Sequence, residues 1–295
     1  MAAAQADLLL LGGDNVYASK TPWSLAALQA AYAQQAKVPG ISALLRQPFV
    51  SIWDDHDYGS NDGGAEFADK AQAKEEFLKF FNAAPDDPRR QREGLYEARL
   101  SGPPGQRVQI IMLDTRWFRS PWRRTSLWNA KGRERYEADD DISKTLLGEV
   151  QWAWLAQQLA MPAEVRLIYS SIQVLAMDHG YERWGLMPHE RERLLKLLAS
   201  APSRATVLLC GDRHIGALYE EGAGLRRRLM ELTSSGLSHA WTTAQEDDTK
   251  RLGELVRVNH YGVVDVDWSA AAVHLRLHGE AGQTLLQHKL PMRAV

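Results

Sequence analysis

The chain has 295 residues, of which 45% are hydrophobic and 24% charged, enough apolar material for one large core or two small ones. A formal net charge of -2 argues against nucleic acid or an anionic membrane as main partner, since Arg226-Arg227-Arg228 and Arg119 with Arg123-Arg124 are only local basic clusters. The single cysteine, Cys210, excludes an internal disulfide, no stretch approaches the roughly 18 apolar residues of a membrane span, and Met1 to Ala6 lacks the pattern of a signal peptide.

Asp7 to Leu11 is a short apolar run stopped by Gly12-Gly13, which predicts a buried strand. Asp14-Asn15-Val16-Tyr17 follows at its end. Asp14 and Asn15 offer hard oxygen ligands, and Tyr17, three residues on, can turn its phenol to the same point. Pro22 then opens a helix with Leu25, Leu28 and Tyr32 on one face.

Pro48 to Ile52 is β-prone and leads into Trp53-Asp54-Asp55-His56-Asp57-Tyr58-Gly59-Ser60-Asn61-Asp62, the stretch around which the chain is organised. Two carboxylates about 4 Å apart repel by roughly 1 kcal/mol in water and roughly 4 kcal/mol at an effective dielectric near 20. The loop must therefore stay wet or hold a cation, and the flanking Trp53 and Tyr58 imply partial burial, which favours the cation. His56, set among aspartates, can ligate a metal or donate a proton.

Ala65 to Asn82 reads as an amphipathic helix carrying Phe77, Phe80 and Phe81, and Pro85 to Arg92 as a polar linker. Tyr96 to Leu100 and Arg107 to Leu113 are strands joined by the turn cluster Ser101 to Gly105. The second runs into Asp114-Thr115-Arg116, where Arg116 can fork onto an anionic substrate. Residues 117 to 145, rich in Trp and Arg, hold the solvated acidic run Asp139-Asp140-Asp141 and suggest an insertion over the sheet edge rather than core.

Gly148 to Leu159 is a helix with Trp152, Leu155 and Leu159 inward, and Val165 to Tyr169 a strand leading to Gln173, which can donate and accept. Pro188 starts a helix carrying Leu194, Leu195, Leu197 and Leu198. Ala205 to Cys210 is a buried strand delivering Gly211-Asp212-Arg213-His214, and Asp212 and His214 both reach one ion if the backbone is extended there. Leu229 to Leu232, Tyr261 to Trp268, Ala271 to Leu277 and Leu285 to Leu290 read as antiparallel strands. With no repeat and no break in composition, a single α/β domain over residues 1–295 is expected.

Asp14, Asp55, Asp212 and His214 come from three strand ends far apart in sequence, as in a metal centre assembled on a sheet. Oxygen donors with an imidazole suit calcium, magnesium, manganese or iron better than a thiolate-type zinc site, and a tyrosinate from Tyr17 favours iron(III).

In Gly13 to Tyr17, Trp53 to Gly59, Leu113 to Arg116, Gln173 and Gly211 to His214, the chain resembles the PhoD-like (alkaline phosphatase D type) branch of the calcineurin-like metallophosphoesterases, over about residues 7 to 236. The resemblance implies a sandwich of two mixed β-sheets flanked by helices. It implies two or more metal ions at the strand ends, drawn from calcium, iron(III), manganese, magnesium and zinc, and hydrolysis of a phosphomonoester or phosphodiester, small molecule or polymer end, by metal-activated water. Under it, Asp14 bridges the ions, Asp55, Asp212 and His214 are further ligands, and Tyr17 matches a position that can ligate iron. His56 contacts the phosphoryl group or protonates the leaving oxygen, Arg116 or Arg213 neutralises a substrate oxygen, and Asn15, Asp57 and Gln173 complete the substrate-binding set. Residues 117 to 145 and Glu182 to Trp184 would shape substrate choice.

The resemblance also implies an upstream strand whose end supplies another first-site ligand, which the sequence as given is expected to lack. The alternative expectation is therefore a metal- or phosphate-binding protein that keeps the fold without turnover.

Overall fold

The computed structural model describes residues 6–222 and 228–293. Met1 to Gln5, at the start of the segment judged for a signal peptide, and Arg226 and Arg227 of the basic cluster lie outside the described residues. The chain begins with strand Leu9–Leu11 (β1), helix Leu25–Gln35 (α1), helical turn Ile41–Leu44 (α2), strand Phe49–Ser51 (β2), the one-turn helix Asp55–Tyr58 (α3) and helix Lys70–Phe80 (α4). A turn at Pro88–Gln91 (α5), strands Glu97–Ser101 (β3) and Val108–Leu113 (β4), helix Gly148–Ala160 (α6), strand Val165–Ser170 (β5) and helix Pro188–Ser200 (α7) follow. Then come Ala205–Cys210 (β6), Gly216–Glu221 (β7), Leu229–Ser234 (β8), Arg251–Val256 (β9), His260–Asp267 (β10), Ala272–Gly279 (β11) and Thr284–Pro291 (β12).

A seven-stranded mixed sheet in the order β3-β4-β5-β6-β8-β7-β9 forms the centre. Side chains alternate across a strand, and here the two faces feed two cores. Ile110 and Met112 of β4, Leu167 and Tyr169 of β5, and Val207 and Leu209 of β6 enter one core with β10 to β12, β2, α1 and α4. Ile111, Leu113, Ile168, Leu208 and Cys210, on the opposite face, enter the other with Trp152 and Leu155 of α6 and Leu194 and Leu198 of α7. Each fully buried Leu, Ile or Val of these strands contributes about 1.5–3 kcal/mol, and burial on both faces is why β4, β5 and β6 read as continuous apolar runs.

The fold is thus the expected mixed α/β arrangement with flanking helices. The layer facing the large sheet comes in two parts, a parallel β1-β2 pair and the antiparallel meander β10-β11-β12.

Several local expectations change. Helix α1 starts after Ser24 rather than at Pro22, because the Ser24 hydroxyl accepts from the Ala27 amide at 3.2 Å and caps the first turn. Helix α4 starts five residues later than read, after turns at 65–69. Residues 117–145 are only partly peripheral: 126–131 and 140–143 are exposed, but Trp122 and Tyr136 are buried in the α6 and α7 core, and Arg119 is fully buried. Their periodicity is hidden because they hold only isolated bridges, Arg124 to Tyr136 and Ala130 to Arg133. The acidic run beside them is largely solvated as expected, with Asp140 and Asp141 exposed.

Candidate metal centre

Strands β4, β5 and β6 run parallel, as do β1 and β2, so their carboxyl ends gather the loops that follow them. Ligands collect at such ends. Asp14 leaves β1, Asp54 and α3 follow β2, and Asp212 and His214 follow β6. Asp14, Asp212 and His214 all have left-handed backbone, at φ 50°, 65° and 54°. Aspartate tolerates that region better than most residues, and such strain clusters at functional sites.

The left-handed backbone corrects one expectation. Asp212 and His214 are not on an extended segment, and each has its own neighbours: Asp212 gathers with Asp54 and Asp55, whereas His214 Nε2 lies 3.6 Å from Asp14 Oδ2. Three overlapping groups result, each with ligand atoms within 4.8 Å of one another: Asp14, Asp55 and His56; Asp54, Asp55 and Asp212; Asp55, Asp62 and Glu182. Asp55, rather than Asp14, is common to all three.

The donor set fits cations. Asp14 Oδ1, Asp54 Oδ2 and Asp55 Oδ1 are buried oxygens without a hydrogen-bond partner, and a buried carboxylate is stable only with a counter-charge or a proton. Burial, with the neighbouring Asp55, raises the pKa of Asp14. Burial raises those of Asp54 and Asp212 far more, the Asp54 rise being opposed by Arg116 and the Asp212 rise reinforced by Glu182 and Asp55. Asp55 is also desolvated, yet Arg116 and His56, together with the Asp62 amide and Asp14, outweigh burial and hold it below the usual range. The hub of the nest is therefore the aspartate best kept ionised.

The imidazole and phenol lie along the mouth. His56 Nδ1 is 2.6 Å from Ser19 Oγ, and its ring packs on Tyr17 at 4.4 Å between centroids. The Tyr17 hydroxyl donates to Asp14 Oδ2 at 3.1 Å and lies 3.2 Å from His214 Nε2. Burial and then Asp14 push its phenol above the ordinary range, so a cation is needed to hold it as tyrosinate at neutral pH.

The remaining expected residues stand behind this front. Arg116 is fully buried; its Nε donates to Asp54 Oδ1 at 2.6 Å and its Nη1 to Glu182 Oε2 at 2.7 Å, so it balances the carboxylates instead of reaching out to a substrate. Arg213 donates to Glu246 Oε1 at 2.6 Å and lies over the rings of Tyr181 and Trp241. Gln173 is closed off too, donating to Thr233 Oγ1 at 2.9 Å while its Oε1 sits 2.9 Å from His179 Nε2. Asp57, with no exposed surface, accepts from the Asp54 amide at 2.6 Å and from Asn15 Nδ2 at 2.5 Å, tying the end of β1 to α3. Burial pushes the Asp57 pKa up to about 8. Asn15 and Asp57 thus position the loops.

Asp54, Asp62 and Ser19 join the candidate site without having been singled out as site residues, and Glu182, expected only to shape substrate choice, joins its donor groups. Asp54 adjoins Asp55 in the acidic stretch, and Asp62, at φ 52°, precedes Gly63-Gly64 in a turn. Glu182 carries no local signal, since only the fold brings it to a loop far away in the chain.

A family model described as PhoD-like phosphatase matches residues 1–277. None of the curated proteins matches the chain. Among solved structures, one described as "Structure of PhoD" superposes with a TM-score of 0.68 at 18% identity, covering 100% of this chain and 68% of that one. At that identity the likeness is one of fold.

Proposed function

Because the chain belongs to the PhoD-like phosphatase family, we propose that it is a metal-dependent phosphoric ester hydrolase whose centre is the carboxylate nest around Asp55. The observation that carries this reading is the set of partnerless buried oxygens on Asp14, Asp54 and Asp55, beside an oriented imidazole, His56, whose side chain is 23% exposed.

Asp54, Asp55 and Asp212, and Asp55, Asp62 and Glu182, are all-carboxylate sets and suit calcium, magnesium or manganese, whereas Asp14, Tyr17 and His214 offer the carboxylate, phenol and imidazole that suit iron(III) and, without the phenol, zinc. When bound, such ions supply positive charge to phosphoryl oxygens and acidify a water molecule. The chain's own residues do the rest. Ser19 holds His56 Nδ1, so Nε2, which lies 4.0 Å from Asp55 Oδ1, is the atom left to donate a proton to the leaving oxygen. Arg116 favours the ionised form of Asp55 from behind and opposes the burial-driven rise at Asp54 without cancelling it, and the Asn15–Asp57 pair fixes the two loops relative to each other. The family to which the chain belongs, with an exposed imidazole held by Ser19 beside the nest, favours hydrolysis over metal binding alone.

The test is elemental analysis paired with hydrolysis of p-nitrophenyl phosphate and bis(p-nitrophenyl) phosphate, with calcium, manganese or iron added. Bound metal and turnover of either ester support the reading, and the ratio of the two rates ranks monoester against diester. Bound metal without turnover of either would leave the binding-protein reading standing.

A further inference from the structure

On the far side of the wall that closes the nest lies a cavity of about 420 Å³, lined by Arg123, Arg133, Glu137 and Arg183 among others. Three pairs of consecutive residues build that wall, and each pair is split between its two faces. Trp122 Nε1 donates to Glu182, while Arg123 lines the cavity. The Tyr136 hydroxyl donates to Asp62 Oδ2 at 2.7 Å, while Glu137 lines the cavity. Glu182 accepts from Arg116 in the nest, while Arg183, with extended backbone at φ -166° and ψ 158°, lines the cavity. Consecutive side chains on extended backbone point to opposite faces, as at Arg183, and at the other two pairs the side-chain contacts themselves place the two residues on opposite sides.

The charges around the cavity do not balance. Arg123 Nε sits 2.8 Å from Glu137 Oε1 and Arg133 Nη1 sits 3.7 Å from Glu137 Oε2, so one carboxylate serves two guanidinium groups. Arg183 is only 8% exposed, and its Nε donates to the His179 carbonyl at 2.7 Å. Among the described residues no carboxylate forms an ion pair with it. Burial and then Arg191 lower its pKa to about 10, more than the pull of Asp248, Asp178 and Glu134 offsets. A guanidinium presents a planar fork that matches an oxyanion.

We propose that this cavity is a binding site for a small oxyanion of the phosphate type, held by Arg183, Arg123 and Arg133, and separated from the catalytic nest by a wall one residue thick. The anion comes either free from solution, as the inorganic phosphate that hydrolysis releases, or as a second phosphate group on a substrate that reaches round the wall. The site itself does not require that the nest be catalytic.

Calorimetric titration of the metal-loaded protein with inorganic sulfate and inorganic phosphate tests it, comparing the native chain with Arg123→Gln/Arg133→Gln, whose side chains are largely exposed, and with Arg183→Gln. Saturable sulfate binding by the native chain, weakened tenfold or more in the double variant, is expected. The kinetic arm compares KM for an aryl phosphate ester with KM for the same ester bearing a second, remote phosphate. A rise in KM confined to the doubly phosphorylated ester assigns the site to substrate, and unchanged KM values with lost sulfate binding assign it to the free anion. No saturable binding, or equal binding by native and double-variant chains, overturns the proposal. Either result holds whether or not the protein hydrolyses esters, because calorimetry does not depend on turnover.

Discussion

Ser19 Oγ sits 2.6 Å from His56 Nδ1, and this contact fixes which edge of the imidazole is turned away. His56→Ala is expected to keep its metal and lose about 10²- to 10⁴-fold in kcat, the usual contribution of a positioned general acid. Ser19→Ala should lose about 10-fold to 100-fold, as when a group orienting a functional side chain is removed. Steady-state kinetics with parallel metal analysis measures both, and a Ser19→Ala enzyme as slow as His56→Ala would make the hydroxyl a participant in its own right.

Asp55→Asn should behave differently. Asp55 is shared by three groups of candidate ligands, so the variant should lose bound metal as well as rate. Chelation of the native protein should lower its melting temperature, since a ligand at 100 times its Kd stabilises by about 2.7 kcal/mol. The variant should show a smaller drop on chelation, and equal drops in a thermal scan would remove Asp55 from the metal site.

Arg116 supplies a stability prediction. It is fully buried between Asp54 and Glu182, so Arg116→Ala strands two carboxylates and should destabilise the fold by about 3–5 kcal/mol. Lysine lacks the fork that spans both acids and should not restore it. Urea denaturation reads the loss. An Arg116→Ala protein of native stability whose only defect is a raised KM would return Arg116 to the role of substrate clamp.

Glu231 gives the pH dependence. It accepts from the amides of Val174 and Leu175 at 2.8 and 2.6 Å, but burial outweighs these contacts and raises its pKa from 4.5 to about 7. The folded protein therefore holds a proton there that the unfolded chain has released. The stabilisation is complete below pH 4.5 and is lost as pH rises through about 7, an amount of about 3 kcal/mol for a shift of that size. Denaturation at pH 5 and pH 8 should show Glu231→Gln with a flatter loss than the native chain, and identical slopes would remove Glu231 from the titration.

The centre of the fold is legible in the sequence because β4, β5 and β6 are buried on both faces and carry little but apolar residues. The acidic stretch is legible because four aspartates within ten residues need a physical reason. Strands β7 and β9 escape: β7 ends in Glu220-Glu221 and β9 carries Gly253 at φ 74°, so neither shows a two-residue period. The roles of Arg116, Arg213 and Gln173 escape for another reason. A polar residue after a strand looks alike whether it faces solvent or a buried acid, and the partners that decide, Glu182, Glu246 and His179, stand outside the motifs themselves.

The left-handed backbone at Asp14, Asp212 and His214 bears on how this centre can be dissected or rebuilt. An alanine scan here would record two losses at once, the missing donor and the strain of a methyl-bearing residue in a conformation it resists. Asparagine tolerates that conformation and keeps the outline of aspartate, so it separates ligand chemistry from chain geometry. A designer moving this constellation to another scaffold would have to transplant three backbone bends along with the side chains. Any host loop unable to bend that way would carry the right residues to the wrong places.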